Sequence, residues 1–151
     1  MSKYIIGVDP DSDKHGIAIY QDGELVRLSS MQLLGLKGFI DSLVKTSKID
    51  SLEIHMEDTC ANNAAFKKRG VKNSKSGTAV NRGVGRCQQA QIELERLFDY
   101  CEITVVKHKI SKQWKDAAYG KMMFEQATGW KGRSNEDTRS ASWFGYLGTK
   151  K

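Results

Sequence analysis

Residues 4–20 read YIIGVDPDSDKHGIAIY. The apolar run Tyr4-Ile5-Ile6-Gly7-Val8 ends on Asp9, and Asp11 and Asp13 follow closely. Aspartate is a poor strand former, and a carboxylate at the end of a buried strand is costly unless something pairs with it. A polar hairpin turn would account for Asp-Pro-Asp-Ser-Asp taken alone. The run itself is apolar on both faces, which predicts a central strand over Tyr4–Asp9, halted at Pro10, the single proline of the chain. The rest of the sequence decides between a turn and a site.

His15–Tyr20 and Glu24–Ser29 predict two further strands, joined at Gln21-Asp22-Gly23, where Asp-Gly is a hairpin signal. Leu36, Phe39, Ile40, Leu43 and Val44 recur at helical spacing. Ser51–Met56 predicts a fourth strand that runs straight into Glu57-Asp58. Residues 62–77 mix Gly, Ser, Asn and basic side chains and read as a loop. A long helix over about 78–100 follows, with Val84, Cys87, Gln91, Leu94, Leu97 or Phe98, and Cys101 on one stripe. Residues 102–107 predict a fifth strand, and 111–126 and 134–147 two more helices. A three-strand meander followed by alternating helices and strands predicts an α/β fold, a mixed five-stranded sheet with helices on both faces. No repeat and no long linker interrupts it, so 1–151 reads as one domain. In such sheets, sites gather where neighbouring central strands end. The first and fourth strands each end on a carboxylate.

Composition narrows the partners. A chain of 151 residues, 39% of them hydrophobic, can bury one core. No apolar stretch is long enough to cross a membrane, and no secretory layout opens the chain, so a cytoplasmic protein is expected. Cys60, Cys87 and Cys101, like His15, His55 and His108, lack zinc-type spacing, and the cysteines are expected to be reduced and packed. The net charge is +6, and its placement matters more than its size. From Thr59 to Ile92 there is no Asp or Glu, while Lys67, Lys68, Arg69, Lys72, Lys75, Arg82 and Arg86 supply positive charge. A polyanion is the natural partner for such a segment.

Carboxylates at strand ends beside a basic segment suggest phosphodiester chemistry. A two-metal site needs carboxylates around hard cations about 4 Å apart, and Mg2+ takes oxygen ligands while keeping several waters. Asp9 and Glu57 fit if their strands are adjacent. A third ligand is available in Ser134-Asn-Glu-Asp-Thr-Arg-Ser-Ala141, where Asp137, Ser140, Ala141 and Phe144 share one helical face. Ser134 with Asp137 also matches a capping box, and acidic residues favour a helix N-terminus. A side chain cannot easily cap and bind metal at once, so the two readings compete.

These residues together resemble the RuvC family of Holliday junction resolvases, whose RNase H-like fold runs in the same order. Asn81-Arg-Gly-Val-Gly-Arg86 is similar to the family's Arg-Gly segment after its junction-binding loop, and Lys115 followed by Gly120 to its DNA-facing Lys-x4-Gly segment. Phe66 stands where family members carry an aromatic that stacks at the crossover. Asn135–Ala141 is similar to the terminal motif, except that Ser140 stands where the last Asp would be. A hydroxyl binds Mg2+ more weakly than a carboxylate does. Asp11 and Asp13 are further departures, since relatives more often place small residues after the first Asp-Pro.

The resemblance implies a homodimer, with the long helix as its seam, that binds branched DNA, especially four-way junctions, and nicks two strands symmetrically. It implies Mg2+, with Mn2+ able to substitute. Asp9, Glu57, Asp137 and Glu136 would be the catalytic carboxylates, with Lys115 beside them, and these four acids and Ser140 would surround the metal. Phe66, Lys67, Lys68, Arg69, Lys72, Lys75, Arg82, Arg86, Lys115 and Lys121 would contact DNA. If the last helix does not ligate, Asp11, Asp13 and Asp58 are the remaining candidates. The main rival is a module of the same fold that binds branched nucleic acid without cutting it, for which Ser140 is the argument. A nuclease acting on RNA–DNA hybrids or other branched substrates is hard to separate from a resolvase by sequence. An actin-like nucleotide-binding protein would need a second phosphate loop and a longer chain.

Overall fold

A computed structural model describes residues 2–60 and 75–150, without the side chains of residues 75–82 and 84. The elements are β1 (Ser2–Asp9), β2 (His15–Gln21), β3 (Glu24–Met31), α1 (Leu33–Thr46), β4 (Ile49–Glu57), α2 (Lys75–Tyr100), β5 (Thr104–His108), α3 (Tyr119–Thr128) and α4 (Glu136–Thr149). The five strands form one sheet in the order β3-β2-β1-β4-β5. β1, β2 and β3 pair antiparallel, whereas β4 pairs parallel with β1 and with β5. The meander closes at Asp22-Gly23, whose φ values of 51° and 88° suit a tight hairpin turn. Parallel partners need a crossover, and α1 lies in the chain between β1 and β4 as α2 lies between β4 and β5. β1 is central, as its two apolar faces predicted.

Period-two alternation sorts each strand onto two faces. Tyr4, Ile6 and Val8 of β1, Ile17 and Ile19 of β2, and Ile54 and Met56 of β4 form the main core with Leu36 and Ile40 of α1 and Leu94 and Phe98 of α2. The alternate positions, among them Gly7 and Asp9, Gly16 and Ala18, and His55 and Glu57, face α4. Helices thus cover both faces.

α4 sits unusually close to the sheet because glycines let it. A Cβ on Gly7 would lie 2.0 Å from the Ala141 carbonyl oxygen, and one on Gly16 would lie 2.3 Å from that of Asp137. Farther along, Gly145 and Gly148 of α4 give way to the rings of Tyr20 and His55. The Tyr20 hydroxyl lies 2.8 Å from the Ser142 carbonyl oxygen, to which it donates, and 2.7 Å from Ser142 Oγ. This seating carries the N-terminus of α4 to the ends of β1 and β2.

Several boundaries differ from the sequence reading: β1, β3 and β4 run longer, α2 begins at Lys75 inside the loop expected over 62–77, and three other differences have a local cause. The helix expected over 111–126 is α3 alone, and 111–118 precede it as turns. Trp114 has φ 66°, a left-handed value that a bulky residue rarely adopts and that cannot continue a helix. Asp116 Oδ1 then accepts the Gly120 amide at 2.9 Å, and Gly129, at φ 72°, ends α3 by donating to the Glu125 carbonyl. The fifth strand begins at Thr104 rather than 102, because Glu102 turns the chain with φ 58°. The last helix starts at Glu136, not Ser134, for a capping reason given below.

The glycine contacts make a paired prediction. Gly7→Ala must push backbone against backbone and should cost about 2–3 kcal/mol, as overpacking does. Gly38→Ala on α1, where an added Cβ meets nothing within 4 Å, should stabilise by about 0.5–1 kcal/mol. Urea unfolding of the two variants beside the parent chain measures both.

Candidate active site

Asp9 and Glu57 are the last residues of neighbouring parallel strands. Val8 pairs with Met56, so the next step of the register sets the two carboxylates side by side on the α4 face. They are 5% and 6% exposed. Burial, and then the charge of Glu57, raise the Asp9 carboxyl to about 8; Asp137 adds to the rise, while Lys115 and the Ser140 hydroxyl oppose it. The salt bridges among the described residues are Lys37–Asp41, His55–Glu53 and Lys107–Glu95, so none neutralises this pair. Ser140 Oγ is buried and, among the described residues, has no hydrogen bond of ordinary geometry, although it is near enough to Asp9 to favour the ionised form.

The cap on α4 does not use Asp137. Asn135 is the N-cap: its side chain accepts the Thr138 amide at 2.9 Å, and Thr138 Oγ1 accepts the Asn135 amide at 2.9 Å. This is a capping box, but it uses Asn135 and Thr138 instead of Ser134 and Asp137. Asp137 is released from capping and stands half-buried. Its carboxyl is raised by burial, then by Asp11 and Glu136, and is lowered by Lys115. Glu136 is exposed and, with Lys112, Lys115, Asp116, Ala117 and Arg139, lines a cleft of about 750 Å3.

The remaining acids have other engagements. Asp58 Oδ1 accepts from Gln91 Nε2 at 2.9 Å and from the Cys60 amide at 3.1 Å, anchoring the end of β4 to α2. Asp11 is half-buried; its amide donates to His15 Nδ1, and its carboxylate accepts the Ser12 amide. Asp13 is exposed and accepts from Gln32 Nε2 at 3.5 Å. Among the described residues, no three His, Cys or carboxylate side chains converge as the ligands of one metal ion. The structure gathers a tight pair, Asp9 and Glu57, with Asp137, Ser140 and Lys115 around it.

Of the expected DNA contacts, Arg86 on α2 and Lys121 on α3 are exposed, and Lys115 is half-buried. Lys75 and Arg82 belong to α2, though their side chains are not among those described. Phe66, Lys67, Lys68, Arg69 and Lys72 lie outside the described residues, as does most of the predicted loop 62–77. The three cysteines are free and partly buried. No described helix is long and apolar enough to cross a membrane.

Two groups escaped the sequence reading. Arg139, only 4% exposed, reaches the turns that carry Lys115. An arginine immediately before the small and apolar Ser140-Ala-Ser-Trp-Phe144 stretch was the available signal. His55 and His108, on adjacent strands β4 and β5, approach at 2.8 Å between Nδ1 and Nε2, and His55 Nε2 meets Glu53 Oε1 at 3.0 Å. Their separation in sequence hid this pairing.

The strand order, the crossovers and the covering helices define an RNase H-like α/β fold. Among solved structures, the chain is similar to RuvC of T. thermophilus in complex with a Holliday junction substrate, with TM-score 0.53 and 13% identity over 95% of this chain and 90% of that one. It is also similar to a second Thermus thermophilus RuvC structure, with TM-score 0.50 and 13% identity over 95% and 91%. No protein-family model and no curated protein sequence matches the chain.

The Asp9 environment predicts a pH dependence in metal-free protein. Below the ordinary carboxylate range Asp9 is protonated whether folded or unfolded, so it costs nothing. As the pH rises from 4 toward 8, the unfolded chain releases a proton that the folded chain keeps, and stability falls. Asp9→Asn should therefore stabilise the EDTA-treated protein by a few kcal/mol at pH 8 and by little at pH 4, on the order set by a shift of this size. Thermal melts across that range measure it. Asn135→Ala should cost about 1 kcal/mol through the lost cap, whereas Asp137→Asn should cost no cap.

Proposed function

We propose that this chain is a metal-dependent, structure-selective endonuclease that binds four-way DNA junctions as a homodimer and nicks them symmetrically. The observation that carries the reading is the buried, un-neutralised pair Asp9 and Glu57 at the ends of adjacent parallel strands. Two carboxylates held this way repel each other and are costly without a cation. The orphaned Ser140 hydroxyl and the uncommitted Asp137 supply further oxygen atoms, and an all-oxygen donor set suits Mg2+, with Mn2+ as substitute. Asp9 and Glu57 would hold the metal, with Asp137 and Ser140 at its flank and Glu136 at the edge of the cleft. The metal supplies activation of water and neutralisation of the leaving 3′ oxygen. The chain's own share is positional: the strand ends fix two carboxylates, α4 brings Asp137 into their neighbourhood, and Lys115 offers a cation to a phosphate beside them. Exposed Arg86 and Lys121, with the basic stretch from Lys67 to Lys75, supply charge for the DNA arms, and α2 is the proposed dimer seam.

A second reading is favoured by one observation: among the described residues no third carboxylate joins Asp9 and Glu57 as ligands of one ion, and Ser140 stands where the RuvC resemblance would place a carboxylate. On that reading the chain binds branched DNA without cutting it. Incubation of a labelled four-way junction and a linear duplex with Mg2+, Mn2+ or EDTA separates the two. Paired nicks in the junction, absent with EDTA, are expected. Asp9→Asn and Glu57→Gln should each lower cleavage by more than about 100-fold while leaving junction binding intact, and Ser140→Asp should lower the metal concentration for half-maximal cleavage. Binding without nicks under every metal condition would favour the second reading.

A further inference from the structure

We propose that Arg139 is a positioning residue that sets where Lys115 stands, by clamping the turns at 111–118 onto α4. The inference rests on the reading of Lys115 as a phosphate contact. Arg139 Nε donates to the Trp114 carbonyl at 2.9 Å, Nη2 to the Lys115 carbonyl at 2.7 Å, and Nη1 to Ser134 Oγ at 3.1 Å. Three acceptors on two segments are met by one planar fork, which an ammonium cannot do. None of the three is a carboxylate, so a buried cation is spent on holding backbone.

The backbone it holds is strained. Trp114 sits at φ 66° and is only 4% exposed, its ring centroid 5.7 Å from that of Phe124 and 5.1 Å from those of Trp143 and Tyr146. A conformation of this kind persists only where its surroundings over-determine it. The aromatic cage fixes the side chain, and Arg139 fixes the carbonyls on either side of the Lys115 Cα. Because Arg139 lies two residues beyond Asp137 on the same helix, the lysine and the carboxylate share one support.

The test is the salt dependence of binding to a fluorescein-labelled four-way junction in EDTA, which needs no cleavage. Lys115→Met should reduce the slope of log K against log salt by about 0.9, the release from one phosphate contact. Arg139→Lys should reduce it by the same amount although residue 139 is buried, and the double variant should fall no further. Ser134→Ala, which leaves both carbonyl bonds, should keep the parent slope. A purely structural Arg139 would lower the melting temperature and leave the slope alone, which overturns the proposal. A double variant that loses two contacts also overturns it, since Arg139 would then touch DNA itself. If Lys115→Met changes nothing, the DNA-contact reading of Lys115 fails and the proposal falls with it; if only the Arg139 variant is silent, that reading stands. Should Arg139→Lys fail to fold, Gly120→Ala is the second route. Its Cβ would lie 2.8 Å from the Trp114 carbonyl carbon and 3.1 Å from the Lys115 amide nitrogen, displacing the same turns. It too should lose one contact, and an unchanged slope there counts against the proposal.

Discussion

The backbone of α4 rests directly on the backbone of β1 and β2, and the rest of the site depends on that contact. At Gly7 and Gly16 there is no room for a side chain between helix and sheet. The helix therefore approaches closely enough for Asp137, Ser140 and Ala141 to stand beside strand ends that carry Asp9 and Glu57. The opposite face is organised differently, with interlocking Ile, Val, Leu and Phe side chains between sheet and helices. One face carries the larger hydrophobic cluster; the other combines a smaller one around Ala18, Tyr20 and Ala141 with glycines, a buried tyrosine–serine contact and acids. That division of labour lets the fold tolerate a poorly solvated acidic pair, because the cost is borne by a core on the other side.

Electrostatics at the site are one-sided in the protein alone. Asp9 is pushed toward the protonated form by burial and by Glu57, and Lys115 and the Ser140 hydroxyl offset this only in part. Asp137 is raised by its burial as well, with Asp11 and then Glu136 adding to the rise. Strain of this sort gathers where a bound cation or substrate would relieve it. Asp11 matters here: it is an additional negative charge near Asp137, and its backbone amide shapes the turn after β1 by donating a hydrogen bond to His15 Nδ1.

Much of this was legible in the residues, because the deciding signals were local. The doubly apolar run to Asp9 predicted the central strand, Asp22-Gly23 the hairpin, and Glu57 the second carboxylate at a strand end. What failed was also physical. Residues 111–118 carry residues compatible with a helix, but Trp114 is turned left-handed by tertiary packing and by Arg139, which no local propensity records. The cap on α4 shifted by one residue because Asn135 and Thr138 satisfy each other as well as Ser134 and Asp137 could. The glycines at 7, 16, 145 and 148 gave a composition signal whose meaning, a helix seated on a sheet, needs the pairing of distant segments. The same holds for His55 and His108.

The parallel pairing of β1 with β4 also governs when the site comes into being. Asp9, Glu57 and Asp137 are far apart in sequence, and they come near one another only through contacts between remote segments. Such contacts form slowly during folding, because a long loop must close before any of them is rewarded. α4 follows the strands and the other described helices in the chain, and until it docks the two strand-end carboxylates lie on an uncovered face of the sheet. Repulsion among the acids is then screened and cheap, and it grows only as the final layer closes and excludes solvent. The acidic centre is thus a property of the docked α4 layer, absent wherever that layer is open.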